Sequence, residues 1–267
     1  MSSLELTAPR RRVAPAAVLS SFTLAALDLV FPALCPVCKT TLGVGRRDPL
    51  CGPCWSAITR LGAPWCHVCG AAPASSASFA EPRRVEPSRP CATCTNDPPR
   101  YDYARSAAVY EGQLREALHA LKFSGRRALA GPLAELAAEQ CRASLPAGIE
   151  ALIPVPLARE RERERGFNQA ALLARRIGRR LGVPIRPRWL ARLRATRPQS
   201  DLSAAERRAN VRGAFRASPR VAGRHVVVVD DILTTGATLD ACARALRDAG
   251  AFRVGVLTVA RVLHTAV

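Results

Sequence analysis

Two rhythms of apolar residues run through the last two thirds of this chain. Short unbroken apolar runs suit strands of a parallel sheet covered on both faces. Apolar residues recurring every three or four positions suit helices laid over such a sheet. The clearest run is Val226-Val-Val-Val229, a predicted buried strand whose carboxyl end carries Asp230 and Asp231. A helix is predicted over 239–250, because Leu239, Cys242, Ala243 and Leu246 share one face and Gly250 is a suitable stop. Ala151 to Pro156 predicts a short strand ended by prolines. The next helix follows Gln169, with Ala171, Ala174, Ile177 and Leu181 near one face and Gly182 closing it. Leu114, Leu118 and Leu121 mark another, with Lys122 at its end, and a strand-like segment opens at Tyr101 and Tyr103 and runs through Tyr110. The predicted class is α/β, a parallel sheet flanked by helices.

The turn after the Val run carries the most chemistry. Thr234-Thr235-Gly236-Ala237-Thr238 lies between a strand and a helix, so free backbone N–H groups and the positive end of the helix dipole face the loop. A phosphate dianion fits there. Gly236 permits close backbone approach, and Thr234, Thr235 and Thr238 add hydroxyls. Asp230 and Asp231 would repel a phosphate unless they face something else. Ribose hydroxyls, with a divalent cation nearby, are the natural partners. Ligands of open α/β sheets sit beyond the carboxyl ends of the strands, which is where this turn falls. The chain contains no Gly-x-x-x-x-Gly-Lys-[Ser/Thr] and no Gly-x-Gly-x-x-Gly after a strand, which disfavours P-loop and dinucleotide folds.

A different pattern governs the amino-terminal third. Eight of the ten cysteines form four Cys-x-x-Cys pairs: Cys35/Cys38, Cys51/Cys54, Cys66/Cys69 and Cys91/Cys94. Such spacing lets two thiolates reach one metal from a single tight turn, and two pairs complete a tetrahedral site. Two structural zinc ions are expected. Sequential pairing is favoured and crossed pairing stays open. His67 lies inside the third knuckle, where the cysteines already suffice. Cys141 and Cys242 fall on apolar helical faces and read as buried small hydrophobes. No export signal or convincing cleavage site precedes the cysteines, so zinc in a reducing cytoplasm is preferred to disulfides. Ala16 to Leu34 is marginal in length for a membrane span and contains Asp28 and Pro32, so an amphipathic helix near the zinc module is expected instead. Ala71 to Pro90 has no apolar period and reads as a mobile loop, and Thr95 to Arg100 as a linker. Three regions follow: a tail with an amphipathic helix (1–30), a double zinc module (31–99) and the α/β domain (100–267).

Charge adds one further constraint. Against 21 Asp and Glu stand 40 Lys and Arg, a formal net charge of +19 over 267 residues. Such an excess attracts polyanions, whether nucleic acid or a multiply phosphorylated sugar. Aromatic residues make up only 5%, which argues against an extended base-stacking platform. Trp55 and Trp65 fit contact with single strands or packing around the knuckles equally well.

Val226-Val-Val-Val-Asp-Asp-Ile-Leu-Thr-Thr-Gly-Ala-Thr238 resembles the 5-phosphoribosyl-1-diphosphate (PRPP) signature of type I phosphoribosyltransferases. With it stand Val155-Pro156, Arg165-Gly-Phe-Asn-Gln169, Gln199-Ser-Asp-Leu-Ser-Ala-Ala-Glu-Arg207 and Asn210-Val-Arg-Gly-Ala-Phe215. Together these are similar to the ComF family, the phosphoribosyltransferase-like proteins tied to competence and DNA utilisation. The resemblance implies that Asp230 and Asp231 hold the ribose hydroxyls and that Thr234, Thr235, Gly236, Ala237 and Thr238 wrap the 5′-phosphate. It implies magnesium on the diphosphate and transfer of ribosyl phosphate to a nitrogen acceptor. It puts Pro154 to Arg159 in the place of the diphosphate loop, so Pro156, Arg159 and Arg165 are candidates there. Lys122, in Leu121-Lys-Phe-Ser-Gly125, is similar to a substrate-approaching lysine of related transferases, though a lysine at a helix end also complements the dipole. The alternating Arg159–Arg165 run otherwise reads as a solvated mixed-charge segment. The resemblance puts Thr196 to Asn210 in the place of a lid, whereas the residues alone fit a plain surface connection equally well. Regulatory proteins reuse the same site, so the alternative to an enzyme is a PRPP sensor or a single-stranded-DNA-binding protein, with competence-machinery proteins as further partners.

Overall fold

A computed structural model describes residues 33–43, 49–62, 66–71, 90–194, 206 and 211–263. The expected amino-terminal helix (all but its end), most of the 71–90 loop, Trp65 and most of the lid segment lie outside the described residues. Four strands form one parallel sheet: β1 (Tyr103–Val109), β2 (Ala151–Pro154), β5 (His225–Leu233) and β6 (Arg253–Arg261), in the order β1-β6-β5-β2. The short strands β3 (Leu190–Arg192) and β4 (Phe215–Ala217) pair antiparallel in a separate ribbon.

The Val run makes the fold three-layered. Val227 and Val229 enter one apolar layer with Leu257 and Val259, under α3 (Gly112–Phe123), α4 (Ala130–Arg142) and α6 (Gln169–Leu181). Val226 and Val228 enter the other, with α7 (Ala237–Asp248) and the β3–β4 ribbon. The predicted face of α7 is the buried one, with Leu239, Cys242, Ala243 and Leu246 all enclosed. Cys141 and Cys242 are buried as expected.

Three expectations shift. β5 does not end at Asp231, because β6 keeps pairing with it as far as Leu233↔Arg261. In α6 the buried stripe is Ala170, Leu173, Ala174, Ile177 and Gly178, whereas Ala171 and Leu181 sit at its margin. The cause is Gly178, where a Cβ would lie 2.6 Å from Val183 O, so the glycine lets the helix press onto the chain leading to Ile185. The expected linker is ordered: α2 (Ala92–Asn96), which like α1 (Gly52–Ser56) starts just after the first cysteine of a pair, takes up its first residues, and Arg100 donates its N–H to Asp240 Oδ1 at 2.5 Å.

The cysteine-bearing segments pack directly on the sheet. Thr59–Leu61 runs antiparallel along β1, with Leu61 N donating to Ala107 O at 2.9 Å and Val109 N to Thr59 O at 2.9 Å. Further along, Ala104 N donates to Val68 O at 2.6 Å. The outer edge of β1 is therefore paired at three points, Ala104, Ala107 and Val109. Gly70 is the tightest point of this seam. Its φ is +71°, and a Cβ there would lie 2.5 Å from Ala104 O. Gly70→Ala is expected to cost about 2–3 kcal/mol through left-handed strain and overpacking. A thermal melt should show a fall of roughly 5–10 °C, and an unchanged melt would mean that the seam yields freely.

Candidate functional site

A cleft opens at the carboxyl end of β5. Its floor is Asp230 and Asp231, and one wall is the turn from Thr234 to α7. Gly236 caps that helix with φ +79°, a left-handed value that favours glycine, and Asp240 N closes the first turn onto Gly236 O at 2.8 Å. Thr234, Gly236, Ala237 and Thr238 line the cleft. Thr235 does not, because its Oγ1 is turned inward and buried without a hydrogen-bond partner. The strand-to-helix turn thus presents the free N–H groups of a helix start to the cavity, as an anion site requires.

The opposite wall is cationic. Lys122, at the end of α3, places Nζ 2.5 Å from Asp231 Oδ2. Burial works against the charged amine, but the facing Asp231 outweighs it and the Lys122 pKa rises. Asp230 shows the reverse: burial, and then the neighbouring Asp231, push its carboxyl well above the usual range. Asp231 N also donates to Asp230 Oδ1 at 2.9 Å, which holds the pair in one arrangement.

The Arg-Gly-Phe-Asn-Gln element builds the rest of this wall. Arg159–Arg165 is a single helix, α5, with no buried residue, acidic residues in its first turn and Arg163 and Arg165 in its last. Gly166 stops it with φ +70°, and its carbonyl accepts from Arg127 Nη2 at 2.9 Å. Phe167 is buried under the Arg127 guanidinium. Asn168 caps α6, accepting from Ala171 N at 3.2 Å while its Nδ2 donates to Val155 O at 3.0 Å. That bond fixes the diphosphate-loop candidate to the start of α6. Gln169 then accepts from Arg165 Nη1 at 3.1 Å.

The cleft takes up Pro156, Arg165 and Lys122 but not Arg159, which is exposed and does not line it. Helical geometry replaces it with Arg161, four residues before Arg165 and on the same face. Arg192, from the β3–β4 ribbon, also lines the cleft, and no pattern in the sequence pointed to it. Burial lowers the pKa of both Arg165 and Arg192, and the Arg161 charge lowers it further. Three guanidiniums and one ammonium thus face two carboxylates, and the crowded cations favour an anionic ligand.

The cysteines form two clusters in sequential order. Cys35, Cys38, Cys51 and Cys54 make one and Cys66, Cys69, Cys91 and Cys94 the other, with all ligand atoms of each within 4.8 Å of one another. A tetrahedral site with Zn–S of about 2.3 Å holds its sulfurs about 3.8 Å apart. Cys38 Sγ lies 3.4 Å from Cys51 Sγ, and Cys69 Sγ lies 3.8 Å from Cys91 Sγ. All these cysteines are free thiols. Backbone N–H groups of Cys69 and Cys91 point at Cys66 Sγ, at 3.5 and 3.2 Å, as thiolate ligands require. These residues fit two structural zinc ions, and His67 belongs to neither cluster. Trp55 is half-buried and packs against the apolar layer rather than facing outward. Among the described residues no helix is long and apolar enough to cross a membrane.

Comparison with known proteins agrees with both parts. Residues 26–95 match a double zinc ribbon domain and residues 165–267 a phosphoribosyl transferase domain. The chain is 35% identical over 239 residues to the DNA utilization protein YhgH of Shigella flexneri, covering 88% of this chain and all of that one. It is 30% identical to competence protein F of Haemophilus influenzae, across 85% of this chain and 96% of the relative. Among solved structures, the glutamine PRPP amidotransferase of Bacillus subtilis overlays 48% of this chain and 25% of its own at 25% identity, with a TM-score of 0.33.

Proposed function

This chain belongs to the ComF family of competence and DNA-utilisation proteins, and we propose that its cleft binds PRPP with magnesium and passes the ribosyl phosphate to a nitrogen acceptor. One observation carries the proposal. An acidic pair and a glycine–threonine helix start meet three guanidiniums and a lysine across one cleft, at the carboxyl end of a parallel strand.

In this reading the N–H groups of the 234–238 turn hold the 5′-phosphate and Asp230 and Asp231 accept from the ribose hydroxyls. Arg161, Arg165, Arg192 and Lys122, with Pro156 beside them, receive the diphosphate. Magnesium supplies further charge neutralisation on the diphosphate. The bond from C1 to the diphosphate oxygen breaks and its electron pair leaves with diphosphate. The nitrogen lone pair closes the new C1–N bond and the nitrogen gives up a proton to the departing diphosphate or to solvent. Fixed cations around the leaving group and a positioned ribose lower the barrier without a dedicated base. The zinc clusters stay structural.

The second reading is a protein that senses PRPP, or handles single-stranded DNA, without turnover. It draws on the net charge of +19 and on the exposed arginines of α5. Calorimetric titration with PRPP, with and without magnesium, followed by a diphosphate-release assay over a panel of amine and base acceptors, tests both. Binding strengthened by magnesium, with diphosphate released for one acceptor, is the expected result. Binding with no release across the panel favours the sensor, and no binding at all overturns the proposal.

A further inference from the structure

The second cysteine cluster and the phosphate turn are joined by two separate tethers. The first is Arg261, the last residue of β6. It is buried, and its Nη1 donates to Cys69 O while Nη2 lies 3.9 Å from Cys69 Sγ. Arg261 pairs with Leu233 in the sheet, and Val262 N donates to Leu233 O at 2.9 Å. Leu233 is the residue immediately before the 234–238 turn.

Tyr101 is the second tether. It follows the segment bearing Cys91 and Cys94, is buried, and sets its hydroxyl 3.7 Å from the point where a Cβ of Gly236 would stand. Beside it, the N–H of Arg100 donates to Asp240 in the first turn of α7. The turn that would hold the phosphate therefore rests on chain anchored to the cluster from below and from one side.

Charge gives Arg261 a specific purpose. Four thiolates around a divalent ion carry a net charge of minus two. A buried net charge needs a charged or hydrogen-bonding partner beyond the ligands themselves. Arg261 is a buried cation beside this cluster, and its Nε has no partner among the described residues. Arg105 also stands near, donating from Nη1 to His67 O at 3.1 Å, but Arg261 is the one that continues through β6 to Leu233. The first cluster differs. Cys35, Cys51 and Cys54 lie in the other apolar layer, with Leu50 and Ile58.

We propose that Arg261 and Tyr101 are positioning residues that brace the phosphate turn against the second cysteine cluster, so that metal in that cluster and a phosphoribosyl ligand in the cleft stabilise each other. The coupling rests on the PRPP reading given above. Linkage is reciprocal, so whatever zinc does for PRPP affinity PRPP must do for zinc retention. Zinc transfer from the zinc-loaded full chain to a chromogenic chelator, with and without magnesium and PRPP, reads this twice: the chelator concentration at half-transfer gives the equilibrium effect, and the time course separates the two clusters. Release in two phases is expected, one of them slowed about fivefold or more by PRPP and the other unchanged. Arg261→Met should speed that same phase, weaken PRPP about tenfold and abolish the protection. Tyr101→Phe, which keeps the ring, should lose part of the protection and none of the zinc. A purely structural Arg261 would alter release without altering its response to PRPP. If PRPP binds by calorimetry but leaves both phases unchanged in the parent protein, the coupling is overturned and the binding reading stands. If PRPP does not bind, both fall. The parent measurement decides the matter even if Arg261→Met fails to fold.

Discussion

Asp230→Asn is expected to bind PRPP about a hundredfold more weakly than the parent, because it loses charge-assisted hydrogen bonds to ribose at about 1.5–3 kcal/mol each, and yet to melt at a higher temperature. Burial and the adjacent Asp231 raise the Asp230 pKa, so the folded protein without ligand holds this proton more tightly than the unfolded chain does. The sign follows from linkage. The stability contributed by a raised carboxyl is complete below its unfolded value, about 3.9, and is lost as pH rises through the folded value. As pH rises above the unfolded value, Asp230 therefore takes stability away from the unliganded protein. Asparagine is neutral at every pH and removes that burden. Melts of parent and variant from about pH 5 to about pH 8 should diverge as pH rises, with the variant ahead by about 1 kcal/mol at the upper end. A variant that melts lower at neutral pH, or retains its affinity, would refute this account of the site.

Lys122→Met is expected to be among the most destabilising single changes in the α/β domain. Only 19% of the Lys122 side chain and 4% of the Asp231 side chain are exposed, so the pair lies where solvent screens little. Removing the amine takes away the cation in contact with Asp231 at the cleft floor. Breaking a buried pair from one side costs about 3–5 kcal/mol, and the residual exposure of Lys122 points to the lower bound. The melting temperature should fall by roughly 6–12 °C. Adding Asp231→Asn should recover more than half of the loss, because the uncompensated charge goes with it. A double-mutant cycle would measure the interaction directly. Additive single effects, or a Lys122→Met protein as stable as the parent, would show that Asp231 does not depend on this lysine.

Sequence and structure agree best where local pattern decides. The Val226–Val229 run, the buried face of α7 and the four Cys-x-x-Cys pairs are all set by spacing within a dozen residues, and each is found as expected. The cleft cations were less legible. In Arg-Glu-Arg-Glu-Arg-Glu-Arg, Arg165 stands out because it opens the Arg-Gly-Phe-Asn-Gln element, but Arg159, Arg161 and Arg163 are equivalent as letters, and only the helical turn of α5 brings Arg161 rather than Arg159 to the cleft. Arg192 comes from a ribbon that reaches the cleft through tertiary packing, which no local pattern encodes. Lys122 is legible from Leu121-Lys-Phe-Ser-Gly125, but its 2.5 Å contact with Asp231 is hidden by their distance along the chain. Pairing among the cysteine pairs was open for a related reason: spacing makes each knuckle, but the path of the intervening chain decides which two meet.

The strip Thr59–Leu61, lying between the two cysteine clusters in sequence, has one more consequence. It is what keeps the flank of β1 from being a bare row of amide donors and acceptors. A chain starved of zinc during synthesis would lose the anchors of that strip and leave the flank open to another copy of itself. The penalty for poor metal supply would then be self-association through strand pairing, growing with protein concentration, rather than a merely slack appendage on an otherwise intact molecule.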